Sequence, residues 1–360
     1  MWHRKVPSVR TGQQHAETWT NVSDPSVAFT VNVRLGKQID PRIFSYGRND
    51  DDLRDLVREI NGLYHDQDLE DIDACPACAQ VWDATESFFI HGVQYGVCTH
   101  CGHATVVRRP SGDRFQERFR DSDLLSAAYA NSEAAEKRIT QIALPKLEWA
   151  LSVYRERFGV EAKTLLDVGA GAGHFVAACQ QSGLRAEGWE ISTSSVHAAH
   201  RMFGVDLVQD DFLTGMPSQV DMVTMWGLLE YTPNPRDFLQ AAREVISTEG
   251  MLILEVPRLD SLSSAIQRQF PNTVIRHLDP SSHLNVFSDT AVVEMLYTCG
   301  FEPVSLWLFG MDSIEMAQQL MLNGGSDAPD FIEPEGLLGL QRLIDANYFS
   351  DDLVCAAVRR

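Results

Sequence analysis

Thr164-Leu-Leu-Asp-Val-Gly-Ala-Gly-Ala-Gly-His-Phe175 constrains this chain more than any other stretch. A short apolar run, three glycines at alternate positions and a following apolar segment read as a strand, a tight turn and the start of a helix. Glycines at 169, 171 and 173 let the backbone turn beneath a ligand with no side chain in the way. The helix start offers unpaired backbone N–H groups to that ligand. The spacing is G-x-G-x-G, whereas a dinucleotide site needs G-x-G-x-x-G. Asp167, two residues before the first glycine, would repel a diphosphate and welcome a cation. Glu190 ends the next expected strand, Arg185–Ile191, where a carboxylate accepts from both ribose hydroxyls. These residues suit an adenosine that carries positive charge in place of phosphates.

From 164 onward, apolar strand patterns alternate with amphipathic helices, which implies a parallel α/β sheet with crossover helices. The first helix should stop at Gly183, and Ser192 should cap the next, which runs to Phe203. A third strand, Val205–Gln209, runs into Asp210-Asp211-Phe212. The fourth, Val220–Trp226, leads to Leu229-Glu230-Tyr231, and the fifth is Gly250–Pro257. Beyond the fifth lies Arg276-His-Leu-Asp-Pro-Ser-Ser-His-Leu-Asn-Val-Phe287, a loop with two histidines at the edge where open α/β sheets bind ligands. A helix from Ser288 to Cys299, a strand from Phe301 and a last strand from Asp352 complete the pattern.

Residues 164–310 and the final strand resemble the class I S-adenosylmethionine (SAM) methyltransferases, whose first motif has the form E/D-x-G-x-G-x-G. The resemblance implies a Rossmann-like, seven-stranded sheet with its last strand antiparallel beside the fifth. It implies SAM as cofactor, held by Asp167, Gly169, Ala170, Gly171, Gly173, Glu190, Ile191, Asp210, Asp211, Phe212 and Trp226. One acid of the Asp210–Asp211 pair would bond the adenine amine, with the register open by one residue, and the neighbouring side chain would stack on the ring. The family usually reads L-E-H where this chain has Leu229-Glu230-Tyr231, so a tyrosine stands in the histidine's place. His283 is the candidate general base for the acceptor, since neutral histidine accepts a proton near neutral pH. His277 and Tyr231 are the alternatives.

Upstream, Cys75-Pro-Ala-Cys78 and Cys98-Thr-His-Cys101 are separated by nineteen residues. Two such knuckles place four thiolates around one tetrahedral ion, and four thiolates leave no open position. A structural zinc ribbon over 74–110 is the expectation, with Ser87–Ile90 and Val93–Val97 as its strands. His91, His100 and His103 are weaker ligand candidates. A ribbon followed by a helical linker also resembles bacterial methyltransferases acting on sugars, glycans or natural products.

The remaining segments read less sharply. Residues 1–73 contain one expected strand, Val27–Val33, and an acidic helix opening at Asp50–Asp52 with Leu53, Leu56, Val57, Ile60, Leu63 and Tyr64 at helical spacing. Residues 111–163 form a linker, helical from Ser122 to Phe158 and interrupted near Pro145. Within 104–120, Arg108, Arg109, Arg114, Arg118 and Arg120 form a basic cluster expected to face the acidic helix. Residues 311–350, with a loop at Asn323–Pro329, insert before the last strand as a lid or a dimer surface. The domain of 164–360 thus carries the cofactor.

The net charge of −20 argues against a nucleic-acid backbone as partner. No run approaches the ~18 apolar residues of a membrane span, and no signal-peptide pattern follows Met1. A cytoplasmic methyltransferase acting on a small-molecule acceptor, with a homodimer open, is therefore expected. The alternatives are an RNA or protein methyltransferase that reads its substrate with the ribbon, a catalytically silent SAM-binding scaffold and an NAD-dependent enzyme. A tyrosine at 231 keeps the scaffold in view, and the glycine spacing disfavours NAD.

Overall fold

The computed structural model describes residues 1–6, 14–37, 50–65, 69–120, 132–274, 276–324 and 333–360. Residues 122–131 of the expected linker helix and 325–329 of the expected loop lie outside them, as does 38–49 of the N-terminal arm.

The N-terminal segment supplies strands β1 (Trp2–Lys5), β2 (Gln14–Asn21) and β3 (Ala28–Leu35). Phe29, Val31, Val33 and Leu35 are buried while their neighbours face outward, the period-two pattern of a half-covered strand. Helix α1 (Asp50–Tyr64) follows, buried at Ile60 and Leu63. Short β4 (Leu69–Asp71) precedes the cysteine module, which holds β5 (Ala84–Ile90), β6 (Val93–Cys98) and β7 (Ala104–Val106). Then come β8 (Arg108–Pro110), paired to β4, and helix α2 (Gly112–Arg120).

Helix α3 (Ser132–Arg138) passes through a π-helical turn (Ile139–Ala143) into α4 (Leu144–Phe158). Pro145 sits in the first turn of α4, where its missing N–H is tolerated. The open α/β unit then runs β9 (Thr164–Val168), α5 (His174–Gln181), β10 (Arg185–Trp189), α6 (Thr193–Phe203), β11 (Val220–Trp226), a 3-10 turn (Leu229–Tyr231), α7 (Pro235–Val245) and β12 (Ile246–Pro257). Helix α8 (Leu262–Gln269), β13 (Asn285–Val286), α9 (Asp289–Thr298), β14 (Phe301–Phe309), α10 (Asp312–Gly324), α11 (Pro334–Ala346) and β15 (Asp352–Arg359) complete it.

The main sheet has the order β1-β2-β3-β14-β15-β12-β11-β9-β10. Strands β10, β9, β11 and β12 are parallel, and β15 lies antiparallel between β12 and β14, as the methyltransferase pattern requires. The sheet differs from the expected seven strands at two places. The third strand shrinks to one parallel bridge, Trp189 to Val208, because Asp210 turns the chain away at once. At the other edge, β3 pairs in parallel with β14, so the N-terminal segment widens the sheet to nine strands.

Central β12 is buried continuously from Met251 to Val256, the signature of a strand covered on both faces. Successive residues of β9 feed opposite cores, Leu165 beneath α4 and α5 and Leu166 beneath α7 and α9. The last strand places Val354 and Ala356 in the first of these cores and Cys355 and Ala357 in the second. Parallel strands aligned this way bring their C-terminal ends, and the loops that follow, to one edge.

The cysteine module is not a free-standing lobe. Its sheet has the order β13-β7-β6-β5, so two residues from the far side of β12 complete it. Helices α10 and α11 lie in the 311–350 segment, α10 beside α8, and none of that segment's described residues lines the central cavity. Among the described residues, no helix is long and apolar enough to cross a membrane.

Candidate active site

A cavity of about 440 Å³ opens at the C-terminal ends of β9, β10 and β11. Such a volume lies within the range of small-molecule sites. Asp167, Gly169, Ala170, Gly171, Glu190, Ile191, Asp210, Asp211, Phe212 and Trp226 all line it. Gly173, named with them, does not.

The three glycines do different work. All have positive φ, 70° at Gly169, 53° at Gly171 and 75° at Gly173. A Cβ on Gly171 would meet nothing within 4 Å, so its open side belongs to the cavity. A Cβ on Gly173 would lie 2.8 Å from the Ala199 Cβ, so this glycine lets α5 pack against α6.

Glu190 braces the turn. Its Oε2 accepts from the Gly171 N–H at 2.8 Å and its Oε1 from the Ser192 N–H at 2.8 Å. Burial raises its pKa against the pull of those backbone donors. Asp167 is 2% exposed, and its Oδ1 accepts from the Thr224 hydroxyl at 2.7 Å. Burial pushes its carboxyl up to about 7, with Thr224 and Lys146 pulling down and Glu190 pushing further up. A buried acid poised at neutrality suits a cationic ligand. Of the Asp210–Asp211 pair, Asp211 is engaged by the Leu213 N–H at 3.0 Å and stands 3.7 Å from the Arg120 guanidinium. Asp210 accepts from the Asp211 N–H at 2.8 Å and is exposed.

Several lining residues escaped the sequence. Lys146, on α4, is buried, ion-paired to Glu255, and lies 4.8 Å from the Trp226 ring. Its partner is 109 residues away, so no local pattern announced it. His174 lines the cavity too, and burial drives its pKa down to about 3, leaving it neutral. Leu56 and Glu59 of the acidic helix, and Gln116 and Phe119 of α2, line the cavity as well. Of the basic cluster, Arg118 meets that helix, pairing with Glu59 and also donating to the Ser281 carbonyl, whereas Arg120 turns to Asp211.

The 276–287 loop is held by helix α1 and the cysteine module. Tyr64 donates to the Pro280 carbonyl and Tyr95 to that of His283, both at 2.7 Å. His103 bonds Asn285 at 3.0 Å, and the Asn285 amide donates to the Thr232 carbonyl at 2.7 Å. Asp279, Ser281 and Ser282 of this loop line the cavity, as does Tyr231. His283 stands one layer behind, its ring 4.9 Å from that of Tyr231. Its Nδ1 is 3.0 Å from the Ser282 hydroxyl and its Nε2 is 4.0 Å from Glu230 Oε1. Burial lowers its pKa to about 4 while Asp279 opposes, below the 6.5 of a free imidazole. His277 lies deeper, 3.5 Å from Asp352 and 3.7 Å from Asp351, with φ of 52°. Burial and Arg276 hold it well below the ordinary histidine range.

Cys75, Cys78, Cys98 and Cys101 are buried together, with all four Sγ atoms within 4.8 Å of one another. The Cys75–Cys101 and Cys78–Cys98 separations are 3.7 and 3.8 Å, too long for disulfides and suited to four ligands around one ion. His103 is bonded to Asn285, and His91 to the Val274 carbonyl at 2.6 Å. Neither joins the cluster.

Residues 136–306 match a family model described as "Methyltransferase domain". The ubiquinone biosynthesis O-methyltransferase of Schizosaccharomyces pombe, a mitochondrial protein, is 24% identical over 147 residues, 38% of this chain and 54% of that protein. The Pseudomonas paraeruginosa protein of the same name is 30% identical over 107 residues, 28% of this chain and 46% of that one. The chain thus spans about half the length of the curated relatives it matches. Among solved structures, magnesium protoporphyrin IX methyltransferase (ChlM) from Synechocystis PCC 6803 aligns with a TM-score of 0.45 and 12% identity, over 69% of this chain and all of that one. The plantazolicin methyltransferase BamL aligns with a TM-score of 0.43 and 11% identity, over 69% and 97%.

Proposed function

We propose that this chain is a SAM-dependent methyltransferase acting on a small-molecule acceptor, with a structural zinc held by Cys75, Cys78, Cys98 and Cys101. The observation that carries it is one continuous cavity joining the glycine turn to the 279–282 loop. The residues present fit the cofactor: Gly171 leaves its side of the cavity open, and the buried carboxylates of Asp167 and Glu190 line the same space as the apolar Phe175, Ile191, Phe212 and Trp226. Glu190 would hold the ribose hydroxyls, Phe212 and Ile191 the adenine faces, and Asp210, the more exposed acid, the adenine amine. Ala170 and Trp226 would border the methionine portion. SAM would supply a methyl group on a sulfonium, transferred by in-line attack of the acceptor.

On the acceptor side, Tyr231 and Ser282 would contact the substrate, with His283 as proton acceptor once the Ser282 hydroxyl turns its proton from Asp279 to the His283 Nδ1. Being neutral above about pH 4, His283 is available as a base across the whole physiological range. His277, ringed by Asp351 and Asp352, would serve to fix the loop. The O-methyltransferase names of the relatives support a hydroxyl acceptor.

Calorimetry with the full chain tests the proposal. SAM should bind and NAD should not, and Gly171→Val should abolish SAM binding by filling the open side of the turn. NAD binding tighter than SAM binding would overturn it.

A further inference from the structure

The acceptor half of the cavity has a definite chemistry. Phe119 and Tyr231 meet edge to face, ring centroids 5.5 Å apart at 85°, and form an aromatic corner of the cavity, with Leu56 also in its lining. A corner of two perpendicular rings takes a flat ring, stacking on one wall and meeting the edge of the other. The charges there are unbalanced. Glu59 is paired with Arg118, whose guanidinium is also committed to the Ser281 carbonyl. Asp279 is satisfied instead by neutral donors: the Ser281 N–H at 2.8 Å, its hydroxyl at 2.9 Å and the Ser282 hydroxyl at 2.7 Å. Asp279 is 8% exposed, so its field is little screened by water. At the mouth, Arg120 faces Asp211 while Asp210 adds a further carboxylate.

We infer that the acceptor is a hydroxylated aromatic ring whose remaining substituents are uncharged or cationic, and that acceptors bearing a carboxylate or phosphate are rejected. This rests on the methyltransferase reading. A second carboxylate brought beside Asp279 meets like charge, while among the described residues Lys146, the cation lining the cavity, is already paired with Glu255 and Arg118 with Glu59. Arg118, tying α1, α2 and the loop together, sets the width of the slot.

Three probes with the same dihydroxylated ring separate charge from shape: 4-methylcatechol is neutral, dopamine cationic and 3,4-dihydroxybenzoate anionic. Each is titrated calorimetrically into the full chain loaded with S-adenosylhomocysteine. The neutral and cationic probes should bind, and the anion at least about tenfold more weakly. Asp279→Asn should narrow that gap by about tenfold. Glu59→Gln, which keeps a bond to Arg118, should narrow it as well and covers the case in which the Asn variant misfolds. An anion bound as tightly as dopamine, or binding of none of the three probes to the loaded protein, overturns the inference. Failure of S-adenosylhomocysteine itself to bind, seen before any probe is added, overturns the methyltransferase reading instead.

Discussion

Asp167 turns cofactor binding into a proton-linked equilibrium. In the free protein its carboxyl sits at about 7, raised mainly by burial and held from rising further by Thr224 and Lys146. Below neutrality it is largely protonated. A ligand carrying a sulfonium and an ammonium favours the ionised form, so binding expels a proton. The affinity should climb by up to tenfold per pH unit, about 1.4 kcal/mol, as pH rises towards about 7, then level off. The sign for stability is opposite. Because the folded pKa lies above the unfolded value of about 3.9, the contribution of Asp167 is present below about pH 4 and lost as pH rises through about 7. The ligand-free protein should therefore melt at lower temperature across that window, while the stabilisation by SAM grows.

Calorimetry in two buffers of different protonation enthalpy measures the released proton directly. Glu190 is shifted in the same direction and adds to the slope, whereas His174, held at about 3, stays neutral throughout. Asp167→Asn isolates the effect. It keeps an acceptor for Thr224, loses the proton release attributable to this group and weakens binding at about pH 8 by about 1.5–3 kcal/mol, the worth of a charged partner. A SAM affinity independent of pH with no proton release, or an Asn variant with an unchanged slope, would refute the reasoning.

Two further outcomes follow from the site and the cysteines. Cys98→Ser should release the metal and lower the melting temperature of the whole chain, since the four cysteines share a core with Phe287 and Ala291 and structural zinc contributes on the order of 10–16 kcal/mol; elemental analysis showing no zinc in wild-type protein made with metal available would refute it. His283→Gln should cut turnover on the true acceptor by about a hundredfold with SAM affinity little changed. The acid limb of the wild-type pH–rate profile, set near pH 4 by burial rather than near the ordinary value of histidine, should disappear in the variant; near-normal turnover would make His283 a structural residue.

What the sequence disclosed was local. The glycine turn, Glu190 at a strand end and the paired knuckles are short patterns whose spacing carries their chemistry. The strand order followed from alternating periodicity and a family resemblance. The acceptor half was hidden because it is assembled from distant segments. Leu56 and Glu59 lie on the acidic helix, whose spacing gives no sign that two of its residues border the cavity. Lys146 is a buried charge paired with Glu255, far along the chain. His283 was visible as a residue type in the right loop, but its depth behind Tyr231 and Ser282 is a packing fact with no periodic signature. The N-terminal strands were half legible: the alternation in β3 was seen, and its parallel partner β14 was not.

The closing of the cysteine module's sheet by β13 has a consequence for the order in which the chain is made. Thr105 bonds Asn285, 180 residues later, and β3 waits longer still for β14. At about 5–20 residues per second, the module leaves the ribosome roughly 10–35 seconds before the strand that completes it. Over that interval β7 presents a bare edge, and such edges invite pairing with other chains. Metal captured early would hold the two knuckles together while the edge waits. With zinc bound as proposed, its supply during synthesis, rather than zinc in the finished protein, would then set how much chain reaches the native state.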